Sequence, residues 1–202
     1  MIRFFTTLMS ILIFQVCWSQ TIDKRWNIGV HGGAVQYYGD LGNDFYKADQ
    51  AFYGFGGISV SRYLVKPLDL SLFISRGETG FHNAEGRFQT GFSTATLNLR
   101  LNILDPLYMV RPFLFVGGGA ILYEDEPTEK KKNQIDYAAP SFGAGFNLSL
   151  GETVNLQIQE MVLYSTGDNI DGVQGDRNDA FLLHTAGLTF NLGSKNLINL
   201  QS

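Results

Sequence analysis

Residues 89–103 read QTGFSTATLNLRLNI, and this stretch decides the fold class. Ala95, Leu97, Leu99, Leu101 and Ile103 share one parity; Thr94, Thr96, Asn98, Arg100 and Asn102 share the other. Alternation this regular is the period of a strand, whose side chains point to opposite faces in turn. The composition of the second face is informative. A soluble sheet usually covers its solvent side with Lys and Glu, and here that side carries Thr, Asn and a single Arg. Small polar residues suit the filled interior of a narrow barrel, with the Leu face turned to lipid.

The same pattern recurs on both sides of this segment. Leu68, Leu70, Leu72 and Ile74 oppose Asp69, Ser71, Phe73 and Ser75. Ile58 and Val60 oppose Ser59 and Ser61, within a strand expected over Tyr53 to Tyr63. Trp26, Ile28, Val30 and Ala34 share a face in a strand expected from Trp26 to Tyr38. Downstream, Phe142, Ala144, Phe146, Leu148 and Leu150 oppose Ser141, Gly143, Gly145, Asn147 and Ser149. Val154 to Tyr164 and Phe181 to Leu192 complete the set, the last with Leu182, Ala186, Leu188, Phe190 and Leu192 on one face. Phe113 to Tyr123 is apolar on both parities and contains Gly117, Gly118 and Gly119, so its faces stay unassigned.

The connections alternate in length. Gly39 to Gln50, Arg76 to Phe88, Glu124 to Ala139 and Ser165 to Ala180 read as long loops. Leu64 to Pro67, the region around Asp105-Pro106, and Gly151-Glu152 read as shorter turns. Long extracellular loops alternating with short periplasmic turns are the outer-membrane rhythm. The expectation is an eight-stranded antiparallel transmembrane up-and-down β-barrel with both termini in the periplasm. Aromatics near strand ends (Trp26, Tyr37, Tyr38, Tyr63, Tyr123, Tyr137 and Tyr164) are expected to form interfacial girdles.

Whole-chain properties agree. With 202 residues the chain suggests one domain, and 45% hydrophobic against 17% charged residues excludes disorder. A formal net charge of −4 excludes a nucleic-acid binder, which needs a concentrated basic face. Residues 1–19 read as a cleaved signal peptide: Arg3 is the basic n-region, Leu8 to Phe14 the apolar h-region, and cleavage falls before Gln20. Residues 20–202 form the barrel. Cys17 is the only cysteine; with Val16 before it, it reads as part of the leader rather than as a lipidation site.

One residue resists the alternation. Val154, Leu156 and Ile158 bring Glu160 onto the lipid face, where a charge is costly. A bulge near Gln159 that turns Glu160 inward to pair with Arg100 is therefore expected.

Tyr38-Gly39-Asp40-Leu41-Gly42-Asn43, with the run Tyr53 to Leu64, resembles the N-terminal barrel of OmpA-like outer-membrane proteins of Bacteroidetes-type bacteria. Thr185, Gly187, Phe190 and Leu192 resemble the terminal-strand signal read by the barrel assembly machinery. The resemblance implies a barrel in contact with outer-membrane lipid and lipopolysaccharide. Related barrels include structural proteins, adhesins and a small barrel of the type IX secretion apparatus. Many members continue into a peptidoglycan-binding domain; this sequence stops at Ser202, so that role is not carried over.

No enzyme is expected, and no cofactor. His31, His82 and His184 lack metal-ligand spacing and read as structural or solvated. Some small barrels are lipid A deacylases with a His and a Ser on adjacent strands; His184 and Ser165 are the thin counterpart here. Asp168, Asp171, Asp176 and Asp179 form an acidic loop with part of a calcium-loop pattern, which fails at Gly167 and Asn178. Lys130-Lys131-Lys132 and the acids before it read as a solvated loop, with contact to lipopolysaccharide phosphates as the alternative. A soluble lipocalin-like binder is disfavoured because the outer faces are Leu, Ile and Phe.

Overall fold

The computed structural model describes residues 26–38, 53–82, 87–124, 134–166 and 179–192. They form eight strands: β1 (Trp26–Tyr38), β2 (Tyr53–Val65), β3 (Leu68–His82), β4 (Arg87–Asn102), β5 (Val110–Glu124), β6 (Gln134–Ser149), β7 (Val154–Ser165) and β8 (Ala180–Leu192). Each pairs antiparallel with the next, and β1 closes on β8 with Trp26 opposite Leu192. Closure leaves no strand edge unpaired, so every strand finds hydrogen-bond partners without help from solvent.

The faces follow the alternation. Leu97, Leu99 and Leu101 point out, while Thr94, Thr96, Asn98 and Arg100 are buried inside. Ile58, Leu72, Phe142, Phe146 and Leu188 join the outer apolar face. In β5, which alternation left open, Phe113, Phe115, Ile121 and Tyr123 point in, and Leu114 and Val116 point out. The glycines explain how rings fit inside so narrow a barrel. Phe113 lies over Gly145 and Phe115 over Gly143, on the adjacent strand. A Cβ added at Gly145 would lie 2.7 Å from Phe113 Cζ, and one at Gly143 2.5 Å from Phe115 Cζ.

Four expectations are corrected. The third long loop does not reach Ala139, because β6 begins at Gln134. The second long loop does not run from Arg76 to Phe88: β3 and β4 pair continuously out to His82 and Arg87, and the connection shrinks to 83–86. The alternation of aliphatics fades beyond Ser75, but the backbone ladder does not. Tyr37 and Tyr123 are not girdle residues, for both are buried inside the barrel and Tyr37 packs edge-on against Phe181. Trp26 and Tyr164 do face outward, and the Arg62 guanidinium sits 5.3 Å over the Trp26 ring at the terminal end of the barrel. Finally, β7 pairs with β8 in unbroken register from Val154 to Tyr164, so no bulge forms near Gln159. The irregularity is in β6, between Ala138 and Ser141. Pro140 lies there, lacking the N–H that a regular ladder needs.

Candidate functional site

Two places gather polar side chains: the barrel interior and one patch of the outer wall.

The interior has two layers. Towards the terminal end it is polar. Arg100 lies 4.2 Å over the Phe113 ring, and its Nη1 donates to Gln157 Oε1 at 3.3 Å. Gln157 Nε2 donates to Gln159 Oε1 at 2.7 Å, and Ser141 Oγ to Asn98 Oδ1 at 2.9 Å. His31 Nε2 and Ser59 Oγ are 2.7 Å apart. Buried polar groups tolerate this setting because many of them are paired with one another. The gap between Ser59, Ser71, Arg100 and Gln157 measures only about 10 Å³, room for at most one water. Towards the loop end the interior is apolar: Val35, Phe55, Phe92, Ile121, Met161, Leu163, Phe181 and Leu183 pack together. The Phe92 and Phe181 rings stack with centroids 6.2 Å apart. Above them Tyr37 OH donates to the buried Asp179 at 2.6 Å.

On the outer wall, three adjacent strands bring Glu160, His184 and Gln36 into one row. Register sets Glu160 opposite His184 and His184 opposite Ala34, one outward position from Gln36. Glu160 Oε1 lies 3.1 Å from His184 Nδ1, and Gln36 Oε1 lies 3.1 Å from His184 Nε2. Glu160 is thus outward and 49% exposed, and its partner is His184 rather than Arg100. The expected inward pair is overturned for a simple reason. A hydrogen-bonding neighbour on β8 lowers the cost of an outward carboxylate, so no bulge is required. The sequence placed His184 on the outer face but could not show which β7 residue it meets.

The remaining candidates separate. Ser165 is buried inside the barrel, on the opposite face from His184, so these two do not form a catalytic pair. Thr185 points inward and Phe190 and Leu192 outward. Gly187 lies beneath the His31 ring, where any side chain would collide with that ring and the Val30 carbonyl. The His82 side chain, Lys130 to Lys132, Asp168, Asp171 and Asp176 lie outside the described residues. Among the described residues no cluster of His, Cys, Asp or Glu is arranged to hold a metal.

With this geometry in hand, solved structures can be compared. The chain is similar to Neisserial surface protein A (NspA) at a TM-score of 0.59 and 13% identity, covering 83% of this chain and 97% of that one. It is similar to the N-terminal β-barrel domain of Pseudomonas aeruginosa OprF at 0.51 and 14%, covering 82% and 97%. Ail, the attachment invasion locus protein of Yersinia pestis, matches at 0.51 and 11%, covering 85% and 100%. The chain has the fold of an eight-stranded outer-membrane barrel. No protein-family model matches it, and no curated protein matches it in sequence. At these identities the likeness speaks to the fold alone.

Proposed function

We propose that the chain is an integral outer-membrane barrel that acts as a structural or partner-binding element, neither conducting solutes nor catalysing a reaction. The observation that carries this reading is the filled interior. An aqueous pore needs a continuous path, and here an apolar layer of rings and aliphatics lies across the barrel beside a polar layer whose gap at Arg100 has room for one water. In this reading the termini and short turns face the periplasm, the outer apolar belt meets lipid, and the loops 39–52, 125–133 and 167–178 meet the exterior and lipopolysaccharide. Thr185, Gly187, Phe190 and Leu192 act during insertion, as the signal for the barrel assembly machinery.

The test joins localisation to conduction. The mature protein should fractionate with the outer membrane, run faster on a gel unboiled than boiled, and give no steady conductance in planar bilayers. Release by osmotic shock without a mobility shift would exclude the membrane barrel, and stable open channels would exclude the sealed interior. Affinity capture through the loops then identifies partners.

A second reading rests on the Glu160–His184 pair. A carboxylate orienting an imidazole on the lipid-facing wall is two-thirds of a hydrolytic triad, and a lipid-modifying enzyme would use it on acyl chains. Against it, the far nitrogen of His184 meets the Gln36 amide rather than a hydroxyl nucleophile. Release of fatty acid from lipopolysaccharide or phospholipid, abolished by His184→Ala, would establish this reading; no release would remove it.

A further inference from the structure

Towards the terminal end of the barrel, the outer wall carries a cation without an anion. Arg62 lies on the outward face of β2 between Val60 and Leu64, with Trp26 of β1 and Leu70 of β3 in register on either side. Its surroundings are thus three aliphatic side chains and an indole. The guanidinium sits 5.3 Å over the Trp26 ring, and among the described residues it makes no hydrogen bond or ion pair. Other cations towards this end are already engaged: Arg100 and Arg111 are buried inside the barrel, and Lys66 pairs with Asp105.

Both members of the pair are open to another molecule. Arg62 is exposed, and Trp26 is 47% exposed with its indole N–H donating to nothing among the described residues. A guanidinium stacked by its face on an indole keeps the N–H donors along its edge free. Lipid-facing cations are costly in mid-membrane and nearly free at the boundary, where the side chain reaches polar headgroups. An indole favours the same depth, its ring among acyl chains and its N–H among headgroups. Trp26 opens β1 and Arg62 lies close to the end of β2, so the pair stands at the edge of the apolar belt. The anion at that depth that a planar fork of donors recognises is a phosphate.

We propose that Arg62 and Trp26 form a binding site for a phospholipid headgroup, the edge of the guanidinium donating to two oxygens of the phosphate while the indole holds its face, and the acyl chains lying along Val60 and Leu70. The proposal rests on the membrane-barrel reading above and adds to it a lipid class and a fixed depth for the terminal end.

The test is carbon–phosphorus dipolar-recoupling NMR on the full barrel, labelled at arginine Cζ and refolded into vesicles of phosphatidylethanolamine and phosphatidylglycerol in phosphate-free buffer. The lipid is then the sole source of phosphorus. The Arg62 signal is the one missing from Arg62→Leu, or from Arg62→Lys if the first variant does not refold. It should dephase against phosphorus at a separation of about 4 Å, as paired hydrogen bonds to a phosphate require. Trp26→Leu should weaken that dephasing at least about twofold, because the guanidinium loses the ring that holds it. An Arg62 signal that does not dephase, in a barrel that still runs faster unboiled than boiled, overturns this site and leaves the membrane reading standing. Equal dephasing in Trp26→Leu overturns the shared site, marking an arginine that meets phosphate without the ring. A chain that does not insert into the vesicles overturns both readings.

Discussion

Phe113 and Phe146 offer a controlled pair for testing the sealed interior. They sit one register step apart on neighbouring strands, since Phe113 opposes Gly145 and Pro112 opposes Phe146. Phe113 is 1% exposed, clamped between the Arg100 guanidinium and Gly145; Phe146 is 44% exposed on the outer wall. Phe113→Ala removes a ring from a space that lipid cannot refill. Cavity-forming Phe→Ala changes cost about 3–5 kcal/mol, and a desolvated cation–π contact is worth about 2 kcal/mol or more. These contributions overlap, so we expect a loss of about 4 kcal/mol. Phe146→Ala gives up only partial burial, and acyl chains flow into the gap, so about 1–2 kcal/mol is expected. The assay is urea unfolding in lipid vesicles, followed by gel mobility, with conductance recorded for both variants. The reasoning is refuted if Phe113→Ala is no more destabilising than Phe146→Ala. It is also refuted if the wild-type protein conducts steadily, for then the rings do not close the barrel.

Further outcomes follow from the same geometry. Gly143→Ala places a methyl against the Glu160 carbonyl oxygen and 2.5 Å from Phe115 Cζ; overpacking should cost about 1–3 kcal/mol in the same unfolding assay, against an entropic gain of at most about 1 kcal/mol. Stability equal to wild type would contradict the packing of Phe115 over this glycine. Glu160→Leu removes a lipid-facing charge and one hydrogen bond to His184, opposing effects that should leave stability within about 1 kcal/mol. A loss of about 3 kcal/mol or more would instead indicate a broken buried ion pair. At the β2–β3 turn, the hydrogen bond from Lys66 holds the Asp105 carboxyl below its ordinary range, and the same bond holds the Lys66 ammonium above its own. A depressed carboxyl contributes stability above its unfolded pKa and loses it as pH falls through the folded value; the raised amine loses its share as pH rises through the folded value. The pair therefore acts between these limits. Lys66→Met should move the Asp105 carbon-13 titration upward, and an unmoved midpoint would deny the contact.

How far the sequence could be read depends on where the information lies. Faces of β3 and β4 were legible because Leu alternates there with Ser, Thr and Asn, and one face of each strand is uniformly apolar. β5 was not, because it has apolar residues on both faces: Phe113 and Phe115 go inward only because Gly145 and Gly143 stand opposite, which is a property of pairing register. Tyr37 and Tyr123 were misplaced for a related reason, since an outer girdle and an inner apolar plug both set aromatics near strand ends. The bulge expected at Gln159 was sought at the charge; it lies at Pro140, where the missing N–H breaks the ladder. Arg100 was read as an inward cation from parity alone, and it is buried inside the barrel. Phe113 reaches it from the adjacent β5, whereas Gln157 comes from β7, and only closure of the barrel brings that residue to it.

The outer row has a physical origin that bears on function. In a barrel this narrow the interior is consumed by packing, so a group that interacts with another molecule must sit on the wall or at a rim. Glu160 carries a cost in the lipid-facing position that a Leu would not. It is a departure from what stability alone would choose, in a fold whose other outward positions are mostly Leu, Ile, Val and Phe. Such departures are expected at working sites. Glu160→Leu should therefore leave the sealed interior untouched, because the outer row shares no residue with the packed core.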